Sequence, residues 1–166
     1  MIAYERTTLA NGLTVAVNRD RASKRAAVNI LYKVGARNEN PARTGFAHLF
    51  EHLMFRGTRE VPNFDLPVQM ACGDNNAFTN NDYTDFYITL PKDNIETALW
   101  LEADRMTGLD ISPEALETEK RVVIEEYKQR YLNQPYGDQG MLLRSLAYTL
   151  HPYRWATIGL TTDHVA

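Results

Sequence analysis

Residues 44–55 have the sequence TGFAHLFEHLMF. It places His48, Glu51 and His52 in the order His-x-x-Glu-His, and on a helix two histidines four residues apart project from one face. At about 100° per residue, the apolar residues form a stripe on nearly the opposite face: Phe46, Leu49, Phe50 and Leu53. We therefore expect an amphipathic helix that packs through one face and presents both histidines on the other.

The spacing of the histidines indicates a metal site. A single histidine on a helix is more often a solvated or hydrogen-bonded residue than a ligand, but two with a glutamate between them are typical of inverted zinc-peptidase helices. Neutral imidazole is the commonest zinc ligand, and Glu51 is placed to act on a metal-bound water. The sequence therefore predicts Zn²⁺ bound by His48 and His52.

The composition describes one globular domain, because 166 residues suffice for a core. The net charge of -3 gives no reason to expect nucleic acid as a partner. There is no apolar run long enough to predict a membrane span, and no signal-peptide segment near the N-terminus, which favours the cytoplasm over the periplasm without deciding the compartment. Cys72 is the only cysteine, so the chain forms no internal disulfide.

The remaining elements are predicted from periodicity and turn signals. Asn11-Gly12 joins two alternating segments, which predicts an opening β-hairpin. Further along we expect a strand within residues 26–37 that ends at Gly35, a helix over 64–71, and a polar segment that leads into a strand over 83–90. Three more helices are expected: one from a capping box at Asp93 and Glu96 to Met106, one over 113–131 capped by Ser112, and one over 138–148. Strands and helices without regular βαβ spacing predict an α+β fold with an antiparallel β-sheet packed against helices.

A third metal ligand is expected on the helix that Ser112 opens, since catalytic zinc sites usually have three protein ligands and a water. Glu119 and Glu126 share a face with Val122 and Val123, which should be buried, while Glu125 lies about 100° away. A carboxylate on a packed face is costly unless a cation compensates it. We therefore predict Glu126 as the ligand and Glu125 as a solvated residue.

Glu119 lies two turns before Glu126 on the same helical face. Two roles remain open for it: a carboxylate behind the metal ligands that orients a histidine, or a partner in an ordinary salt bridge.

These motifs resemble the pitrilysin family of zinc metallopeptidases, which includes insulin-degrading enzyme and mitochondrial processing peptidase. The resemblance runs through LANGLTVAVNRD, VGARNENPARTGFAHLFEHLMFRGT, NNAFTNNDYTDFYITLP and HPYRWATIG. It implies a half-domain of the processing-peptidase type in which His48, His52 and Glu126 bind zinc and Glu51 is the general base. Glu119 matches the family's additional acidic residue near the metal.

The resemblance also implies a mechanism and partners. In that family zinc activates a water and polarises the scissile carbonyl, and peptide substrates bind as an added β-strand, which maps onto Asn76, Ala77, Phe78 and Thr79. The plain reading of this segment is a polar turn. Family members consist of two homologous halves, so residues 1–166 are expected to be an N-terminal catalytic domain, a fragment that hydrolyses peptides poorly without a C-terminal half or partner subunit.

Two other functions compete with an endopeptidase. S-ribosylhomocysteine lyase has a helix with the same His-x-x-Glu-His order but completes its site with a downstream cysteine, and no cysteine follows Cys72 here. A catalytically inactive scaffold or peptide-binding subunit is expected to lose a ligand or the base, whereas this sequence keeps all four groups.

Overall fold

Antiparallel pairing organises the strands into two sheets. The computed structural model describes residues 2–166. Its first sheet is the hairpin of β1 (Glu5–Thr8) and β2 (Thr14–Val17). The second holds β3 (Arg25–Tyr32), β4 (Asp74–Thr79) and β5 (Thr84–Pro91) in the order β3-β5-β4. The predicted hairpin and antiparallel pairing are confirmed, and β4 is an edge strand that pairs only with β5 within residues 2–166.

The strand predictions need two corrections. The strand predicted over 26–37 ends at Tyr32, because the chain then turns so that Ala36 N donates to Asn80 O at 3.1 Å. The plain reading of 76–79 as a polar turn is wrong, since these residues lie within β4. β4 forms despite its asparagines because pairing with β5 satisfies its backbone, and such context overrides the low strand propensity of asparagine.

The five α-helices follow the predicted order: α1 Phe46–Met54, α2 Asp65–Met70, α3 Ile95–Thr107, α4 Pro113–Tyr127 and α5 Gln139–Ala147. Ser112 caps α4 as predicted, with its Oγ accepting from Ala115 N at 3.1 Å. The α-helical turns of α4 end earlier than predicted, and a π-helical turn continues over Lys128–Leu132. The capping box predicted at Asp93 is wrong, because α3 begins after a 3₁₀ turn and its N-cap, Asn94, makes no side-chain capping bond.

Two apolar clusters hold these elements together. The first lies between the three-stranded sheet and helices α2 and α3: Val28, Val61, Phe64, Val68, Ile88, Leu90, Ala98 and Leu101. The second joins α1 and α4 to the C-terminal part of the chain: Leu49, Leu53, Val123, Tyr127, Ala156, Ile158 and Val165. The second cluster therefore fixes the position of α1 relative to α4. Within residues 2–166 no helix combines the length and apolarity that a bilayer crossing needs.

Two residues predicted to pack are instead exposed. Leu49 and Leu53 of α1 are buried as expected, but Phe50 is 50% exposed. On α4, Val123 is buried and Val122 is 45% exposed. The reason is that α1 and α4 meet through Leu49, Leu53 and Val123, which turns the neighbouring positions away from the contact.

Candidate metal centre

The start of α1 is fixed by residues outside the helix. Gly45 has a φ of 96°, and a Cβ there would lie 2.6 Å from Ile158 O, so only glycine fits. Because Gly45 has no capping side chain, Glu39 takes that part: its carboxylate oxygens accept from Gly45 N at 2.9 Å and Ala47 N at 2.8 Å. A carboxylate at a helix N-terminus is favourable for charge and for hydrogen bonding.

Glu39 was missed by the sequence reasoning. The signal was an acid in the loop just before a helix whose N-cap position is glycine. Because Glu39 bonds to the first turn of α1, it anchors the helix that carries both histidines.

The three predicted ligands converge where α1 meets α4. Glu126 Oε2 lies 3.6 Å from His48 Nε2 and 3.4 Å from His52 Nε2. One ligand atom from each of the three residues lies within 4.8 Å of the others, so the group can hold a metal ion. Zinc bonds of about 2.0–2.2 Å at tetrahedral angles separate ligand atoms by roughly 3.3–3.6 Å. The spacing and the donor set of two imidazoles and a carboxylate therefore fit zinc.

The electrostatics of the cluster keep its ligands in different protonation states. Burial lowers the pKa of His48 to about 4, although Glu126 opposes this shift. A hydrogen bond with Glu126 raises the pKa of His52 above its ordinary value of 6.5, and the same bond lowers the pKa of Glu126. At neutral pH His48 is therefore neutral and Glu126 is ionised, which are the forms that bind a metal ion. A larger share of His52 rings is protonated, and each must lose this proton before it can bind a metal ion.

Glu51 lies beside the ligands and is held by the sheet. Thr79 Oγ1, at the end of β4, donates to Glu51 Oε2 at 2.5 Å. Burial raises the pKa of the Glu51 carboxyl, and the bond from Thr79 opposes this. The raised pKa suits a group that accepts and returns a proton near neutral pH.

Glu119 contacts both a histidine of the cluster and an arginine. Glu119 Oε2 lies 3.4 Å from His52 Nδ1, and its Oε1 lies 3.5 Å from Arg56 Nη1. The carboxylate is therefore placed to orient the His52 ring and is itself held by a cation. His48 has no such partner: its Nδ1 is buried without a hydrogen bond to any residue in 2–166.

The two neighbouring acids of α4, Glu125 and Glu126, have different surroundings. Arg130 Nη2 contacts Glu126 Oε1 at 2.8 Å, which leaves Oε2 toward the histidines. Glu125 is exposed and pairs with Lys128. The structure thus brings together Glu126, His48 and His52 and leaves Glu125 outside the cluster.

The segment Asn76–Thr79 lies on the free side of the three-stranded sheet. It is part of β4, with Phe78 43% exposed and Thr79 in contact with Glu51. An edge strand thus leads directly to the metal cluster. Two histidines one turn apart, a glutamate between them and an acid from a second helix are the arrangement typical of inverted zinc-peptidases.

Comparison with known proteins agrees with this class. The sequence model of the family described as Insulinase (Peptidase family M16) matches residues 14–154. The chain is 36% identical over 163 residues to the zinc protease PqqE of Helicobacter pylori, covering 96% of this chain and 37% of that protein. It is 31% identical over 159 residues to the probable mitochondrial-processing peptidase subunit beta of Schizosaccharomyces pombe, covering 93% and 34%.

Solved structures show the same fold. A crystal structure of a protease from Helicobacter pylori superposes with a TM-score of 0.94 at 35% identity, covering 99% of this chain and 40% of that one. Pitrilysin superposes with a TM-score of 0.81 at 22% identity over 99% of this chain and 18% of its own, a likeness of fold. The chain belongs to peptidase family M16, a family of metallopeptidases. It spans about two fifths or less of the length of these relatives.

Proposed function

We propose that this chain carries the catalytic centre of a zinc-dependent endopeptidase. The observation that carries the proposal is the convergence of His48, His52 and Glu126 at distances suited to one zinc ion. In this proposal these three residues bind the metal, Glu51 is the general base and Glu119 orients His52. The names of the relatives, which include zinc proteases, support the same metal and reaction class.

The chemistry divides between the metal and Glu51. Held by His48, His52 and Glu126, a zinc ion would make a water molecule more acidic and would polarise a carbonyl. Glu51 takes the proton from the attacking water and later delivers it to the leaving amine. Thr79 holds the Glu51 carboxylate through one oxygen, which leaves the other oxygen for the proton. Burial assists because a raised pKa makes Glu51 a better proton acceptor.

The substrate in this proposal is a peptide bound as an added strand along β4. The edge of β4 that faces away from β5 has no strand partner within residues 2–166, so its backbone groups can pair with an extended peptide. Asn76, Ala77, Phe78 and Thr79 would form this contact. Because Thr79 touches Glu51, a peptide on this edge is brought to the general base.

A homologous C-terminal half or a partner subunit completes the enzyme in this proposal. Support comes from the lengths of the relatives, of which the chain covers 34–40%. Residues 1–166 then form an N-terminal catalytic domain that binds zinc but hydrolyses peptides poorly alone. Robust peptide turnover by the isolated 166-residue chain would contradict this part of the proposal.

The leading alternative is an inactive scaffold or peptide-binding subunit. It is disfavoured because the ligand set and the base lie together in one site. The S-ribosylhomocysteine lyase alternative is disfavoured because no cysteine follows Cys72 and the family model that matches is a peptidase.

The discriminating experiment is peptide cleavage by the polypeptide assembled with its partner half, comparing wild type with Glu51→Gln and Glu125→Gln. We expect Glu51→Gln to keep about one zinc per chain and to lose cleavage, and Glu125→Gln to keep both. An assembled wild-type protein that binds zinc and peptides without cleaving any would favour the scaffold.

A further inference from the structure

The carboxylate of Glu126 points its two oxygens at different partners. Oε2 lies 3.6 Å from His48 Nε2 and 3.4 Å from His52 Nε2. Oε1 lies 2.8 Å from Nη2 of Arg130, which comes four residues later in the same helical run. The Glu126 side chain is partly buried, with 22% of it exposed. The proposed third ligand therefore faces the candidate metal cluster with one oxygen and an arginine with the other.

Arg130 is placed by the turn that follows α4. The π-helical turn Lys128–Leu132 continues the helix, and single turns of this kind often occur at functional sites. The backbone of Arg130 packs closely against Gly137, where a Cβ would lie 2.7 Å from Arg130 O. The other cation of the turn, Lys128, pairs with the exposed Glu125. The charge of Arg130 is thus directed at Glu126.

The ion pair between Arg130 and Glu126 matters more for the ligand than for stability. The Arg130 side chain is 61% exposed, and ion pairs near the surface contribute little to the free energy of unfolding because water screens them. A carboxylate, however, can bind a metal ion through one oxygen or through both. An oxygen that already faces a guanidinium is the poorer ligand, because the cation competes for its lone pairs. The ion pair therefore favours metal binding through Oε2.

The number of oxygens that Glu126 supplies decides how open the metal centre is. A catalytic zinc site has three protein ligands and a fourth position left for water or substrate, which a second oxygen of Glu126 would crowd. We propose that Arg130 is a positioning residue: it holds Oε1 of Glu126, so that the metal ion is bound through Oε2 alone and one coordination position stays open. This inference rests on the proposed zinc peptidase function, because it concerns a ligand of that site.

Cobalt(II) in place of zinc tests the coordination directly, because four-coordinate Co²⁺ absorbs visible light more strongly than five-coordinate Co²⁺. The spectrum is measured per bound ion on the chain assembled with its partner half. Arg130→Met keeps a long side chain without the charge. We expect this variant to hold about one cobalt per site, as a three-ligand centre should, with a visible band weaker than that of wild type. The band weakens because Glu126 then binds through both oxygens.

Two further variants separate the charge of Arg130 from a general effect on the helix. Arg121→Met is the matched control, at an exposed arginine of α4 whose Nε donates to Glu117 O, and it should keep the wild-type band. Arg130→Lys should also keep it, since a lysine four residues after a glutamate forms the same helical ion pair. With zinc bound, Arg130→Met should lower kcat for peptide cleavage by about 10–100-fold at a similar KM, the range for residues that hold metal ligands.

A spectrum of Arg130→Met equal to that of wild type overturns the proposal. Loss of the metal ion from this variant also overturns it, because a carboxylate released from the arginine should still bind the ion. A band for Arg130→Lys as weak as that for Arg130→Met contradicts it as well, since the charge would then not be what holds Oε1. The expected spectra without peptide cleavage by wild type would instead remove the peptidase function and leave the role of Arg130. A wild-type protein that binds no metal ion would remove both.

Discussion

The candidate metal centre and the periphery of this molecule differ in how far their apolar side chains are buried. At the centre, α1 and α4 bury Leu49 and Val123, and each acid of the cluster has a cation, a histidine or a hydroxyl as partner. At the periphery, α5 and the segment after it leave Leu146 78% and Leu150 91% exposed. The hairpin likewise exposes Leu9, Leu13 and Val17.

The candidate site is thus formed by side chains of α1 and α4 within this chain, whereas the hairpin, α5 and the segment after α5 present apolar side chains at the surface. These exposed side chains are available for contact with the further half or partner subunit proposed above. The contrast predicts that substitutions at the centre and the periphery have unequal effects.

The largest effect is expected from Glu126→Gln. This change neutralises the proposed third ligand, whose Oε2 lies 3.6 Å from His48 Nε2 and 3.4 Å from His52 Nε2, so the chain should lose stoichiometric zinc binding. Metal analysis after dialysis, with Glu125→Gln as the matched control on the same helix, measures it. If Glu125→Gln were the damaging change, the ligand assignment on α4 would be wrong.

Leucine truncations compare the two regions directly. Leu49→Ala removes a side chain that is 2% exposed in the α1–α4 cluster and should cost about 2–5 kcal/mol of unfolding free energy. Leu146→Ala, at a largely exposed residue, should stay within about 0.5 kcal/mol. Urea unfolding of the metal-free chain gives both values. Equal losses would mean that α5 is packed and that the contrast between the regions is false.

A smaller effect is expected from Glu119→Gln. The change weakens the contact with His52 Nδ1 while keeping nearly the same shape, so zinc affinity should fall by about 10–100-fold. A competition titration against a chelator measures the affinity. Glu117→Gln, at an exposed glutamate of the same helix, is the control. An unchanged affinity would leave Glu119 only the salt bridge with Arg56.

The smallest effect is a dependence of zinc affinity on pH. Because Glu126 raises the pKa of His52, the metal-free ring is largely protonated at about pH 6 and must lose this proton to bind zinc. Affinity should therefore fall about tenfold per pH unit below the pKa of His52. His48, with a pKa of about 4, should add a second proton only in strongly acidic solution. Chelator competition across this range checks the slope, and an affinity that stays flat would contradict the predicted His52 shift.

Much of the fold was predictable because its signals are local. Asn11-Gly12 predicted the hairpin, and Ser112 with Pro113 predicted the start of α4. The spacing of His48 and His52 predicted a shared ligand position on α1, since residues four apart on a helix always share a face. Their roles as zinc ligands remain a prediction until a metal is measured.

Other features had no local signal. Strand β4 depends on pairing with β5, and the position of Val122 depends on the direction in which α4 meets α1. The sequence placed Glu119 and Glu126 on one helical face. Arg130 pairs with Glu126 from four residues further along the same helical run, whereas Arg56, the partner of Glu119, follows α1 and reaches it only once the helices have assembled.

Local sequence patterns were enough to predict the elements and their chemistry: a helix with two histidines and a glutamate, an acidic second helix and antiparallel strands. Only the folded chain shows which residues come together, such as Thr79 and Glu51, joined by a hydrogen bond, and Tyr32 and Arg105, which line one groove. Periodicity and capping act over a few neighbouring residues. These pairs are 28 and 73 positions apart in the sequence and come together only once the cores have packed.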